Sequence, residues 1–248
     1  MEPTDVEVRK LNFLIKKQIP HDFIPINMTI SALGDSLTKG VGDETNQGGY
    51  LHYLKSSLKT LKGIQEVSIQ NFGIRGYRSN QLLNLLSDEK VQSNIQQADM
   101  VVFTIGANDL MKIVRENITH LSMDDFIEER TNYLERLNQI IKQIRSLNPT
   151  APVIYISLYN PFISSFSQLR EINEIIDHWN SGSKEIINNY KQVYFVPIQD
   201  LFENDINELL FEDYFHPNQK GYELIGNRVM EVIIENKMVD WMIIHHDS

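Results

Sequence analysis

Four short polar clusters in this chain carry the residue types needed for nucleophilic acyl chemistry. Gly34-Asp35-Ser36-Leu37 directly follows the apolar run Met28–Leu33. A serine that opens a helical turn can present its hydroxyl to a cleft while its own N–H has no intrahelical acceptor. Asp and Ser are also favoured helix caps, so on this segment alone Ser36 reads equally well as a cap or as a nucleophile. In Asn71-Phe72-Gly73-Ile74-Arg75-Gly76, the absence of a side chain lets Gly73 bring its backbone N–H close to a ligand. An ordinary glycine turn explains the same residues. Gly106-Ala107-Asn108-Asp109 offers the Asn108 amide, a donor able to stabilise a developing oxyanion or simply to close an Asx-turn. In Asp213-Tyr214-Phe215-His216-Pro217, the three-residue spacing allows a carboxylate to hold imidazole Nδ1–H while Nε2 faces a serine. Histidine is also the side chain whose charge changes near neutral pH. None of the other six histidines has a carboxylate at that spacing beside a Pro-Asn turn signal. A nucleophile, donors, a base and an orienting acid are thus all present, provided that the fold brings them together.

The elements that must do so alternate along the chain. Met28–Leu33, Val67–Phe72, Met100–Ile105, Pro152–Ser157 and Val193–Val196 are short apolar runs of strand length. Between and after them, apolar residues recur at helical spacing. They do so at Leu51, Leu54, Leu58 and Leu61; at Leu134, Leu137, Ile141 and Ile144; at Leu169, Ile172, Ile176 and Trp179; and at Tyr222, Ile225, Val229 and Ile233. Asn148-Pro149 ends the second of these helices. Such repetition implies a parallel sheet with helices on both faces. Ligands bind such sheets outside the carboxyl ends of the strands, and all four clusters lie at strand ends or helix starts on that edge. The loops Lys39–Gly49 and Tyr159–Ser167 leave the same edge and are candidate pocket walls, with Tyr159, Phe162, Tyr214 and Phe215 as candidate lining aromatics.

Composition limits the alternatives. A chain of 248 residues, 42% of them hydrophobic, is long enough for one large domain with a substantial core. A net charge of −10 argues against nucleic acid or an anionic membrane as the main partner. There is no cysteine, which removes disulfides and thiolate chemistry. No apolar run is long enough to span a bilayer as a helix. Residues 1–27 read as an N-terminal extension, 28–236 as the folded domain and 237–248 as a C-terminal tail.

Taken in order, the four clusters resemble the blocks of the GDSL/SGNH hydrolase superfamily, and the likeness runs from about Thr29 to about Glu235. The resemblance implies a three-layer α/β/α, flavodoxin-like fold with a five-stranded parallel sheet in the order 2-1-3-4-5. It implies ester hydrolysis with no cofactor and no metal. By residue-level likeness, Ser36 is the nucleophile, His216 the base and Asp213 its orienting acid. The Ser36 and Gly73 N–H groups and the Asn108 side chain are the oxyanion hole. The implied partner is a small-molecule, lipid or carbohydrate ester. The lipase/acylhydrolase-like members of Gram-positive bacteria are the nearest in kind. They commonly carry an N-terminal export or anchoring segment, so an extracytoplasmic or membrane-anchored place is expected if such a segment has been trimmed, and a cytoplasmic one otherwise. The oligomeric state has no signature in the sequence.

Three other readings compete. A carbohydrate O-acetylesterase would use the same residues on a different ester. A binding module could keep the fold without turnover, since fold alone does not fix function. Gly40-Val41-Gly42 suggests a dinucleotide loop, but it lies beyond the strand end and lacks the third glycine in register.

Overall fold

The structure is a computed structural model describing residues 25–116, 123–161, 170–203 and 206–245. Five strands form one sheet: β1 (Ile26–Gly34), β2 (Ile64–Gly73), β3 (Met100–Thr104), β4 (Val153–Ile156) and β5 (Val193–Val196). Their order is β2-β1-β3-β4-β5 and every pairing is parallel, which is the order that the family resemblance implies. Central strands of such a sheet are covered on both faces and read as continuous apolar runs. All five residues of β3 are accordingly buried.

Successive side chains of a strand point to opposite faces, and the core divides in two along that line. Ile30, Ala32, Met100, Val102, Ile154 and Ile156 belong to one hydrophobic cluster. Leu33, Val101, Phe103, Val153 and Tyr155 belong to the other. Each Val, Leu, Ile, Phe or Met among them, fully buried, is worth about 1.5–3 kcal/mol. The first face is covered by α2 (Tyr50–Leu58), α9 (Gln219–Glu235) and α10 (Met238–His245). The second is covered by α3 (Ser79–Leu85), α4 (Glu89–Gln96), α5 (Ala107–Glu116), α6 (Met123–Leu147) and α7 (Arg170–Ile187). Two short helices, α1 (Ser36–Lys39) and α8 (Ile206–Leu209), complete the set.

The helices differ from the sequence expectation in several places: α1, α5 and α8 have no counterpart among the periodic sets. The first stops at Leu58 rather than Leu61, because the chain turns through Gly63 at φ +89° to enter β2. The stretch between β2 and β3 holds α3 and α4, which are too short and too polar for periodicity to reveal. Residues read as a tail contain α10, whose Met238 and Met242 are 1% and 2% exposed. Leu169 lies outside the described residues. No helix among the described residues is long and apolar enough to cross a membrane.

Strand register sets up the site. Gly34 at the end of β1 pairs with Gly73 of β2 on one side and Thr104 of β3 on the other. Three strands therefore end level, and the chain leaves each of them at one sheet edge.

Candidate active site

The turn after β1 resolves which residue caps the short helix α1. Asp35 is the N-cap: its Oδ1 accepts the Leu37 N–H at 3.0 Å and the Thr104 hydroxyl at 2.8 Å. Burial pushes the Asp35 carboxyl up, against the lowering by these two hydrogen bonds. With the cap supplied by its neighbour, Ser36 becomes the first helical residue. Its Oγ lies 2.9 Å from His216 Nε2.

His216 is held by a tight turn ahead of α9. Phe211 N–H donates to the His216 carbonyl at 2.8 Å, Tyr214 N–H donates to the Phe211 carbonyl at 2.9 Å, and Leu210 bridges to Pro217. Tyr214 adopts a left-handed φ of +54°, uncommon for a non-glycine residue, and its side chain points into solvent. Asn218 caps α9 through the Gly221 N–H at 3.1 Å. This turn puts Asp213 beside the imidazole: Oδ2 is 2.5 Å from His216 Nδ1, and Oδ1 accepts the N–H groups of His216 and Phe215 at 2.9 and 3.1 Å. Burial pushes the Asp213 carboxyl up, but these N–H groups and the imidazole outweigh it and hold the group below the ordinary carboxylate value. An ionised Asp213 accepts from Nδ1–H and leaves Nε2 as the acceptor for the Ser36 hydroxyl.

Asn108 stands in the first turn of α5. One of its amide N–H groups donates to the Tyr77 carbonyl at 3.0 Å, and an amide NH₂ has a second to offer. The next residue, Asp109, fixes that turn. It is buried, and it accepts the Ser79 N–H at 2.9 Å, the Ser79 hydroxyl at 2.5 Å and Arg136 Nη2 at 3.3 Å. Arg136 also pairs with Glu129. Burial pushes the Asp109 carboxyl up, against the Ser79 hydrogen bonds and the Arg136 charge. Asp109 was not singled out from the sequence, because nothing in Gly-Ala-Asn-Asp marks the second carboxamide-sized residue as the buried one.

Gly73 does not take the place expected of it. Its N–H donates to Asn71 Oδ1 at 2.8 Å, and Asn71 Nδ2 donates to the Thr38 carbonyl at 2.8 Å. A Cβ on Gly73 would meet Lys39 N at 2.4 Å. Gly73 therefore packs the end of β2 against α1, and its N–H is already committed. The available signal was Asn71-x-Gly73, since Asn commonly bonds the backbone two residues on. Gly76, with φ +83°, shares a cleft with Asn108 instead.

An apolar pocket opens beside Ser36 and His216, walled by Leu37, Ile105, Leu110, Met111, Leu158 and Ile176. Tyr159 and Phe215 line it as well, joined by a hydrogen bond of 2.5 Å from the Tyr159 hydroxyl to the Phe215 carbonyl. Tyr214 does not line it, and Phe162 lies outside the described residues. The loop Lys39–Gly49 is not part of this wall. Asp43 gathers the N–H groups of Thr45, Gln47, Gly48 and Gly49, and Tyr222 ties Val41 to α9 at 2.6 Å. Among the described residues no three His, Asp or Glu side chains are grouped to hold a metal ion.

Residues 32–224 match the GDSL-like lipase/acylhydrolase family. The chain belongs to that family. Relatives agree: YpmR, an uncharacterised protein of Bacillus subtilis, is 43% identical over 209 residues, covering 84% of this chain and 82% of its own length. The spore germination lipase LipC of Bacillus licheniformis is 26% identical over 212 residues, covering 82% of this chain and 95% of its own. Among solved structures, the lipase Lip_vut3 from a goat rumen metagenome superposes with a TM-score of 0.71 at 24% identity, over 83% of this chain and 97% of its own. The fold is thus that of the GDSL-like hydrolases, and the family identifies the chain as a lipase/esterase-type hydrolase.

Proposed function

We propose that the protein is a carboxylic ester hydrolase working through a covalent acyl-enzyme, with Ser36 as nucleophile, His216 as base and Asp213 as its orienting acid. The observation that carries this reading is the continuous chain Asp213 Oδ2–His216 Nδ1 at 2.5 Å and His216 Nε2–Ser36 Oγ at 2.9 Å. In the first step, Nε2 takes the Ser36 proton as Oγ bonds to the ester carbon. The carbonyl oxygen then carries negative charge, for which the Ser36 N–H, the free N–H of Asn108 and the Gly76 N–H are the candidate donors. Nε2–H passes its proton to the leaving alcohol as the carbon–oxygen bond breaks. Water repeats the sequence on the acyl-enzyme: it gives a proton to Nε2, attacks the carbon and releases Ser36.

The apolar wall from Leu37 to Ile176 supports an acyl chain longer than acetyl, and so favours a lipase/acylhydrolase over a sugar O-acetylesterase. The test has two parts. A fluorophosphonate probe is expected to label the wild type and not Ser36→Ala. The variant is also expected to lose about 10⁶-fold in kcat on p-nitrophenyl esters, the scale seen when a serine nucleophile is removed. An unlabelled wild type would point to a binding module, and full activity in Ser36→Ala would remove the mechanism.

A further inference from the structure

Helix α5 separates two unlike spaces. Ala107, Leu110 and Met111 face the apolar pocket beside Ser36. Asn108, Lys112 and Arg115, spaced by four and then three residues along one face, line a second cleft with Gly76 and Arg78. That cleft holds three cations, Arg78, Lys112 and Arg115, against the single carboxylate of Glu116, which lies 3.7 Å from Lys112. Arg78 and Arg115 have no carboxylate partner among the described residues. Elsewhere the chain runs the other way, with a net charge of −10. A cationic patch on an acidic protein, adjoining the site's own Asn108, is suited to concentrate and orient an anion. Guanidinium groups match the geometry of phosphate oxygens in particular.

Resting on the esterase reading above, we infer that the substrate is a two-ended ester. Its acyl chain enters the apolar pocket, and its alcohol half carries a phosphate-type anion that passes Asn108 into the cleft of Arg78, Lys112 and Arg115. Such an alcohol is found both in phospholipids and in soluble phosphorylated polyols, and recognition of the phosphate is common to both. The reaction remains hydrolysis at the carboxylic ester: the acyl–oxygen bond breaks, and the phosphorylated alcohol leaves with the proton from His216.

The decisive measurement compares hexanoyl glycerol phosphate with hexanoyl glycerol on the whole chain. The phosphorylated ester is expected to have the higher kcat/KM by about ten- to a hundredfold, with about two- to fivefold from each of the three cations, the range for partly exposed ion pairs. The ratio should fall towards one in the triple variant Arg78→Gln, Lys112→Gln, Arg115→Gln. It should also fall as salt rises from about 0.01 M to about 1 M and the screening length shrinks from about 30 Å to about 3 Å. Using the ratio cancels any general loss of folded enzyme, and single Arg115→Gln, an exposed side chain, gives a milder version of the same shift. A ratio of one in the wild type, or a preference that survives the triple variant, overturns the inference. Hydrolysis of the neutral ester through Ser36 with no phosphate preference defeats this inference alone. No Ser36-dependent hydrolysis of either ester defeats the esterase reading beneath it. A rate that climbs when the phosphorylated ester is lengthened and presented in vesicles assigns a lipid source, and a rate confined to the dissolved ester assigns a soluble one; both keep the proposal.

Discussion

Asp213 and Asp109 each brace a side chain of the proposed site, and they do so in opposite surroundings. Asp213 lies on a surface turn with its side chain 32% exposed, and its partners Phe215 and His216 are two and three positions away. Asp109 is 1% exposed, and its partners Ser79 and Arg136 lie 30 and 27 positions away on other elements. The chemistry proposed for the two halves accounts for the difference. His216 must gain and lose a proton in every cycle, so its support is short-range and solvated, tolerant of changing charge. Asn108 must already point at the oxyanion when charge develops there, because a preorganised donor has no reorganisation to undergo. A network centred on the buried Asp109, the next residue, ties α5 to α3 and α6. One half of the site responds, and the other stays fixed.

Substitutions at each half should separate these roles. Asp213→Asn keeps the turn but offers the imidazole the wrong partner, and a loss of about 10⁴-fold in kcat is expected. His216→Ala should lose more, because the base itself is gone. Equal and complete losses would make Asp213 a structural residue only. In the fixed half, Asn108→Ala is expected to lower kcat about 10²–10³-fold with KM little changed, as when a single oxyanion donor is removed. A change confined to KM would restrict Asn108 to ground-state binding. Asp109→Asn acts through its neighbours. We expect up to about 10²-fold in kcat, the cost of roughly 1 Å of misplacement. Stability should fall by about 1–3 kcal/mol, because an amide keeps one acceptor and turns its NH₂ towards a donor, leaving Ser79 or Arg136 without its partner. Unchanged kcat in a destabilised Asp109→Asn would confine that residue to folding.

The same division governs what the sequence reveals. The strands were legible because each is a short, nearly unbroken apolar run, and the order of the sheet followed from the family likeness. The meeting of Ser36, Asp213 and His216 is legible because their relation is local or sits at a strand end: an Asp-x-x-His spacing survives in the bare sequence. In the fixed half Asn108 is legible by the same strand-end argument, but the support beneath it is not, because that support depends on long-range contacts. No spacing rule connects Asp109 to Ser79 and Arg136. The family likeness places the Gly73 N–H in the oxyanion hole, whereas its commitment to Asn71 depends on how α1 packs on β2. Helices α3 and α4 escaped notice because their buried positions are few, Leu82 and Val91 with Ile95, too few to set a period. The cationic cleft likewise draws Arg78 from one loop and Lys112 and Arg115 from a helix, a grouping visible only in three dimensions.

The smallest expected effect, and the one that most directly separates the two carboxylates, is the pH dependence of stability. Asp213 has its carboxyl held below the ordinary value in the folded state. Its contribution is therefore present above the unfolded carboxyl value of about 3.9 and is lost as pH falls through the lower folded value. Asp109 has its carboxyl pushed up by burial. Its contribution is fully present below about 3.9 and is lost as pH rises through the higher folded value, because ionising a buried group opposes folding. Urea unfolding of the wild type, Asp213→Asn and Asp109→Asn at a series of pH values reads both. The stability gap between wild type and Asp213→Asn should be widest at neutral pH and close on acidification. The gap to Asp109→Asn should run the opposite way, widest in acid and narrowing as the pH rises. Two gaps moving in the same direction would mean that both carboxylates sit in the same electrostatic surroundings, and the distinction between a responsive half and a fixed half would then have no basis in their charges.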